Sequence, residues 1–164
     1  MEIERKYLIK HMPPDIEKAG KLEIEQGYLS RGPVVRVRKS NDDYILTFKQ
    51  KSDRSGLDGN PVMNEEYEFS LSKEAYEHLR EKADNHIIIK TRYVIGLDNG
   101  LKAELDVFHG RLEGLRFVEV EFPDVETAAS FVPPEWFGKD VSSDKRYSNG
   151  HLSELDSIDE FMTE

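Results

Sequence analysis

Apolar and polar residues alternate along most of the chain with a period of two, which is typical of β-strands with one buried face. The alternation predicts strands over residues 2–9, 22–29, 34–39, 44–51, 65–71, 87–97, 101–109 and 115–122. Helical spacing predicts helices over 72–83, with Ser72 as a candidate N-cap, and over 124–131. A polar, glycine-containing loop is expected over 52–61. Because there is no βαβ rhythm, these elements predict an antiparallel barrel or a strongly curved sheet.

The polar positions of the predicted strands are mostly charged, and each strand carries mainly one sign of charge. Residues two positions apart project from the same face of a strand. The like-charged pairs of this kind are Glu2 and Glu4, Arg36 and Arg38, Glu66 and Glu68, Lys90 and Arg92, Glu104 and Asp106, and Glu119 and Glu121.

Two interpretations of these charged faces are open. One is a solvent-exposed surface with cross-strand salt bridges. The other is the lumen of a closed barrel with acidic and basic walls, which suits a polyanion chelated by a metal ion. Carboxylates would bind Mg²⁺ or Mn²⁺ there, while arginine and lysine would bind phosphate oxygens. The pattern alone does not decide between them.

Composition and charge argue against several classes of function. Acidic residues outnumber basic ones by 33 to 23, and the formal net charge of -10 argues against a nucleic-acid partner. The absence of cysteine excludes disulfides, thiolate metal sites and cysteine nucleophiles. No apolar run approaches the ~20 residues of a membrane span, and no signal peptide follows Met1. We therefore expect a cytoplasmic protein without a membrane partner.

A set of short motifs resembles the CYTH superfamily, the triphosphate tunnel metalloenzymes. The first is Glu2-Ile3-Glu4-Arg5-Lys6, which has the Glu-x-Glu-x-Lys form that opens this family. The motifs that follow in family order include Gln26-Gly27-Tyr28-Leu29, Arg36-Val37-Arg38, Thr47-Phe48-Lys49, Glu66-Tyr67-Glu68, Lys90-Thr91-Arg92-Tyr93, Glu104-Leu105-Asp106-Val107-Phe108, Val118-Glu119-Val120-Glu121-Phe122 and Asp144-Lys145-Arg146-Tyr147. The chain is most similar to the compact bacterial members, many of which are inorganic triphosphatases. The resemblance predicts a tunnel domain over 1–152 and an acidic, flexible tail over 153–164.

The resemblance implies an α+β fold that is mainly antiparallel β, an eight-stranded closed tunnel with a charged lumen and a few flanking helices. It implies hydrolysis of a triphosphate compound with Mg²⁺ or Mn²⁺. The residues implied to contact phosphate are Arg36, Arg38, Lys49, Arg92 and Arg146. The residues implied to bind metal are Glu2, Glu4, Asp106, Glu119 and Glu121, with Glu66 or Glu68 assisting. The implied general base is Lys6 paired with Tyr28, which we favour, or Lys90.

The substrate is predicted to be free tripolyphosphate, a small molecule. The chain is short and its single tryptophan, Trp136, is expected to pack rather than to stack on a ligand. The alternatives are a thiamine-triphosphatase, a class IV adenylate cyclase, a non-catalytic polyphosphate- or nucleotide-binding module, and a salt-bridged barrel without a ligand. The apparently complete set of carboxylates favours an enzyme over a binding module. A homodimer is expected only from the family resemblance.

Overall fold

Eight antiparallel strands form a closed barrel in the computed structural model, which describes residues 1–52, 55 and 61–162. The strands are β1 (Glu2–Ile9), β2 (Gly20–Arg31), β3 (Val34–Ser40), β4 (Asp43–Lys51), β5 (Val62–Ser70), β6 (Asp84–Gly96), β7 (Lys102–Phe108) and β8 (Arg116–Phe122). They are hydrogen-bonded in the order β5-β4-β3-β2-β6-β7-β8-β1, and β1 closes the barrel by pairing with β5. The predicted α+β fold with an eight-stranded closed barrel is confirmed.

Shorter elements flank the barrel. The predicted helices are present as α1 (Lys73–Arg80), capped by Ser72, and α2 (Val125–Ser130), capped by Asp124. A ninth strand, β9 (Phe137–Asp140), pairs with the end of β1, and a helix α3 (Asn149–Leu152) follows it; neither was predicted.

Short 3-10 segments lie at Ile16–Lys18, Asp98–Gly100, Gly110–Leu112, Lys145–Tyr147 and Asp159–Phe161. Most of the predicted loop over 52–61 lies outside the described residues. Within the described ranges, no helix combines the length and the apolar character needed to cross a membrane.

The main apolar core lies outside the barrel wall, not within the barrel. Ile3 and Tyr7 of β1 and Val118 and Val120 of β8 are buried on the outward face, where they pack with Ala128 of α2. The aromatic residues Phe131, Trp136 and Phe137 cover the same face. Because successive side chains of a strand point to opposite faces, Glu4 and Lys6 of β1 and Glu119 of β8 face the lumen. The structure therefore supports the lumen interpretation for this part of the barrel.

A second apolar cluster fills one end of the lumen. Phe108 lies two residues after Asp106 on β7, and Phe117 lies two residues before Glu119 on β8, so both rings are on the lumen face. Their ring centroids are 5.2 Å apart. Tyr147, in the segment before α3, packs edge-on against Phe117 at 6.2 Å. The ring of Phe161 lies 5.0 Å from Tyr147, so the chain after residue 152 returns to this cluster. The domain boundary at residue 152 and the flexibility of the tail stay predictions. The charged part of the lumen is thus closed at one end by aromatic rings.

Gly27 of β2 lies where the register between β2 and β6 shifts. A Cβ atom at this position would lie 2.8 Å from the Cβ of Ala83 and 2.8 Å from Cδ1 of Ile87. At Gly20, on the same strand, an added Cβ would make only ordinary contacts, the nearest 3.7 Å away. The glycine in the Gln26-Gly27-Tyr28 motif therefore serves the packing of β2 against β6.

We predict that Gly27→Ala lowers the free energy of unfolding by about 1–3 kcal/mol, because the added methyl group overpacks this contact. Gly20→Ala is the matched control, and its unfolding free energy should be unchanged or raised by up to about 1 kcal/mol. Urea denaturation of both variants measures the difference. Equal stability of the two variants would contradict the packing role of Gly27.

Candidate active site

The acidic wall of the lumen is formed by β1 and β8. Their register places Glu4 opposite Glu121 and Lys6 opposite Glu119. The side chains of Glu4 and Glu119 are hydrogen-bonded to each other. Burial and the charges of Glu119 and Glu2 raise the pKa of Glu4 well above its ordinary value. Burial would also raise the pKa of Glu119, but Lys6 and the hydrogen bond from Glu4 outweigh it and lower that pKa. Of the two carboxyl groups, Glu4 therefore holds a proton more tightly, and when protonated it donates to the Glu119 carboxylate.

Lys49 connects this wall to the neighbouring strands. Its Nζ lies 2.9 Å from Oε1 of Glu2 and 3.4 Å from Oε2 of Glu66. Burial works against the charge of Lys49, but Glu4 and Glu2 outweigh it and raise the pKa of the ammonium group. Burial likewise works against the charge of Glu2, and Lys49 lowers the pKa of that carboxyl. Both groups are therefore charged at neutral pH and hold each other in place.

The buried carboxylate of Asp106 binds two cations. Its Oδ2 lies 2.7 Å from Nζ of Lys90, and Arg92 donates to both of its oxygens at 2.8 and 3.0 Å. Asp106 and Lys90 have no exposed side-chain surface. Burial works against the charge of Asp106, but Arg92 and Lys90 lower its pKa. The structure thus gives Asp106 the role of a counter-ion, and its predicted role as a metal ligand stays a prediction.

Arg36 and Arg38 of β3 form the basic wall with few counter-ions. Arg36 is 6% exposed, and its Nη2 donates to Oγ1 of Thr47 at 3.2 Å. Among the residues that the structure describes, the Nε of Arg36 has no hydrogen-bond partner. Burial, with the charges of Arg36 and Arg92, lowers the pKa of Arg38 to about 9. Buried guanidinium groups with unused donors favour an anionic ligand.

The two candidate bases have different surroundings. The Nζ of Lys6 donates to the backbone carbonyl of Tyr147 at 2.6 Å and lies 3.9 Å from the Glu119 carboxylate. Tyr28 is buried in the apolar cluster, and no hydrogen bond joins it to Lys6 in the described part of the chain. The pairing of Lys6 with Tyr28 therefore stays a prediction. Lys90 is fully buried, and burial together with Arg92 and Arg38 lowers its pKa to about 7 in spite of Asp106.

The C-terminal segment contributes groups that the sequence did not indicate. Besides the carbonyl of Tyr147, Oδ1 of Asn149 accepts a hydrogen bond from Lys90 at 3.1 Å. A backbone carbonyl carries no residue-specific signal, and a single asparagine near the end of the chain carries little. Arg146, predicted to bind phosphate, pairs with Asp144 at 2.7 Å and lies over the rings of Tyr147 and Phe161. These partners belong to the C-terminal segment, and phosphate binding by Arg146 stays a prediction.

The carboxylates fit a metal ion by their chemistry. In the described ranges, no three acidic or histidine side chains converge into a ready metal-binding group. Oxygen ligands from Glu2, Glu4, Glu119 and Glu121 are nonetheless the type that Mg²⁺ and Mn²⁺ prefer. The raised pKa of Glu4 beside Glu119 indicates that a negative charge on every carboxylate at once is unfavourable in this corner, so a proton on Glu4 is favoured. A divalent cation would replace that proton and neutralise both carboxylates.

A cavity of about 570 Å³ opens at the end of the lumen away from the aromatic rings. Val94, Lys102, Glu104, Glu121 and Phe122 are among the residues that line it. Burial, with the charges of Glu2 and Glu104, raises the pKa of Glu121. Two acidic residues, Glu104 of β7 and Glu121 of β8, therefore line this cavity.

Known proteins with this architecture share much of the sequence. The family model for the CYTH domain matches residues 1–147. An inorganic triphosphatase of Nitrosomonas europaea is 36% identical over 155 residues, which cover 93% of this chain and 96% of that protein. An inorganic triphosphatase of Acetivibrio thermocellus is 35% identical over 153 residues, which cover 92% of each chain. A crystal structure of the inorganic triphosphatase NE1496 matches with a TM-score of 0.67 at 35% identity, covering 94% of this chain and 95% of that one. From the barrel, its charged lumen and these similarities together, the chain belongs to the CYTH domain family.

Proposed function

We propose that this protein is an inorganic triphosphatase that hydrolyses tripolyphosphate to pyrophosphate and phosphate in the barrel lumen. The observation that carries the proposal is the buried Arg36, whose Nε has no partner among the described residues, beside Arg38 and opposite a wall of carboxylates. A phosphate chain with a bound cation complements both walls. The two inorganic triphosphatases that align with nearly the whole chain support the same activity.

The basic residues bind and orient the substrate in this proposal. Arg36, Arg38, Lys49 and Arg92 donate to phosphate oxygens and stabilise the charge that develops on the leaving pyrophosphate. Asp106 does not contact the substrate but holds Arg92 through both of its oxygens. Since a guanidinium fixed at two points loses little freedom on binding, this contact prepares Arg92 for the anion.

The acidic wall holds the metal ion. Glu2, Glu4, Glu119 and Glu121 are the residues that would bind Mg²⁺ or Mn²⁺, which supplies charge neutralisation for the phosphate chain. Lys49 keeps the Glu2 carboxylate charged and directed into the lumen. The ion pair of Lys49 and Glu2 thus joins a phosphate-binding cation to a metal-binding carboxylate before the metal ion or the phosphate chain binds.

A water molecule attacks the terminal phosphorus, the bridging P–O bond breaks, and pyrophosphate leaves with the bonding electrons. The proton of that water passes to Nζ of Lys6, which must be a neutral amine to accept it; we assign it there because the Lys6 side chain is 14% exposed whereas Lys90 has no exposed surface. Lys90 stabilises negative charge from its position next to Arg92 and Asp106. Tyr28 stays a candidate partner of Lys6 during turnover.

Phosphate release from tripolyphosphate, ATP and thiamine triphosphate tests the activity and its metal requirement. We predict the highest kcat/KM for tripolyphosphate, loss of turnover in EDTA, and recovery with excess Mg²⁺ or Mn²⁺, because the carboxylate wall needs a cation to accept an anion. Tight tripolyphosphate binding without turnover of any substrate would identify a binding module. A preference for thiamine triphosphate, or full activity without metal, would contradict the assignment.

Arg36→Met should lower kcat/KM for tripolyphosphate by about 100-fold or more, because it removes a buried, charge-assisted contact. Its free energy of unfolding should be unchanged or raised, since an apolar side chain removes an unsatisfied buried donor. Lys39→Met is the matched control, with the same loss of charge on the outward face of β3, and should keep its activity within about twofold of the unmodified protein. Comparable losses in both variants would show that net charge, and not the position of Arg36, matters.

Lys6→Met and Lys90→Met should both lower kcat, but through different steps. The kcat/KM of an enzyme with a general base rises with pH as that base loses its proton. We predict that this rise disappears in Lys6→Met and persists at lower overall activity in Lys90→Met. Loss of this pH dependence only in Lys90→Met would show that Lys90, and not Lys6, is the general base. An unchanged profile in both variants would leave the two lysines as binding groups.

A further inference from the structure

Gln26 is a fully buried polar residue on the lumen side of β2. Its register partners are Arg38 on β3 and Ile88 on β6, so it lies next to one of the phosphate-binding cations. Neither the acidic wall nor the candidate bases make a hydrogen bond with it in the described part of the chain. The proposed reaction, as set out above, gives this residue no role.

The orientation of the Gln26 amide follows from its partner. Its Oε1 accepts a hydrogen bond from Nε of Arg38 at 2.8 Å. Because a guanidinium group only donates, the carbonyl side of the amide must face Arg38 and the NH₂ side must face away. That NH₂ group, Nε2, is buried and has no hydrogen-bond partner among the residues described. Buried donors without a partner are rare in folded proteins because they cost free energy, so a missing acceptor is indicated.

We propose that Nε2 of Gln26 donates a hydrogen bond to a phosphate oxygen of the substrate, which makes Gln26 a substrate-binding residue of the lumen. The inference rests on the proposed function, since the acceptor belongs to the phosphate chain that Arg38 binds. One amide then serves two purposes: its oxygen orients Arg38, and its nitrogen binds the same anion that Arg38 binds.

An uncharged donor suits this position. Arg38 already lies near Arg36 and Arg92, and the crowding of these charges opposes a further cation. A lysine or arginine at position 26 would add repulsion in the empty lumen and could not accept the hydrogen bond from Arg38. A glutamate would accept that bond but would repel the phosphate chain. Glutamine satisfies Arg38 and donates to the anion without changing the net charge.

Binding of a tripolyphosphate analogue with methylene groups in place of the bridging oxygens, measured by titration calorimetry with excess Mg²⁺, tests the proposal without turnover. We expect Gln26→Met to weaken binding about tenfold to a hundredfold, the range for a hydrogen bond to a charged group. Gln26→Glu keeps an acceptor for Arg38 but replaces the donor with a negative charge, so it should also weaken binding at least about tenfold. Thermal unfolding of both variants confirms that they fold. Binding equal to that of the unmodified protein in either variant would overturn the proposal.

A double-mutant cycle with Arg38→Met separates direct contact from an effect through Arg38. If Gln26 donates to the substrate, Gln26→Met weakens binding further in the Arg38→Met background. If it only orients Arg38, the second substitution has no effect there, and the proposal is overturned. The unmodified protein is the reference for the proposed function itself. Failure of that protein to bind the analogue with Mg²⁺ and to hydrolyse tripolyphosphate would refute the proposed function, whereas tight binding that is insensitive to Gln26 would refute only this inference.

Discussion

The contact of buried Asp106 with Lys90 and Arg92 is the interaction on which the rest of the lumen depends. These side chains lie on the adjacent strands β6 and β7, and no water reaches the Asp106 carboxylate. Removing one partner of such a buried network typically costs about 3–5 kcal/mol, because the remaining charges stay buried without compensation. Here the uncompensated charges would be cations that already crowd Arg38. The basic wall of this lumen is therefore stable because the Asp106 carboxylate pairs with two of its cationic groups.

The remaining charges are arranged as two opposed walls with limited contact. Lys49 and Lys6 reach across to carboxylates, at 2.9 Å from Glu2 and 3.9 Å from Glu119. Elsewhere each wall has groups that are not fully used: the crowded carboxyl groups of Glu4 and Glu119, and, within the described ranges, donors without a hydrogen-bond partner on Arg36 and Gln26. A metal ion would bind the carboxyl groups, and the phosphate chain would accept hydrogen bonds from the donors on Arg36 and Gln26. The overall charge of -10 therefore says little about anion binding, because the local arrangement decides it.

The barrel could be predicted from the sequence because its strands alternate strictly, and the alternation carries charge as well as polarity. Features that depend on tertiary contacts could not be predicted from the sequence. Strand β9 has four residues and exists through its pairing with β1, so no period of its own identifies it. The contacts of Asp106 with Lys90 and Arg92 form through the register of β6 and β7, which the sequence does not specify. Gln26 and Arg38 are 12 positions apart along the chain and meet only because β2 and β3 pair in that register.

The closing strand of the barrel also determines when the site comes into existence. β1 carries Glu2, Glu4 and Lys6, yet its partners β5, β8 and β9 come from the middle and the end of the chain. Strands β2 to β4 and β6 to β8 can pair with sequence neighbours, but β1 must wait for contacts of high sequence separation, which are slow to form because of their loop-closure entropy. The acidic wall is complete only when β1 lies between β5 and β8, which come from distant parts of the chain. The capacity to hold a metal-bound anion therefore depends on contacts of the highest sequence separation in the barrel.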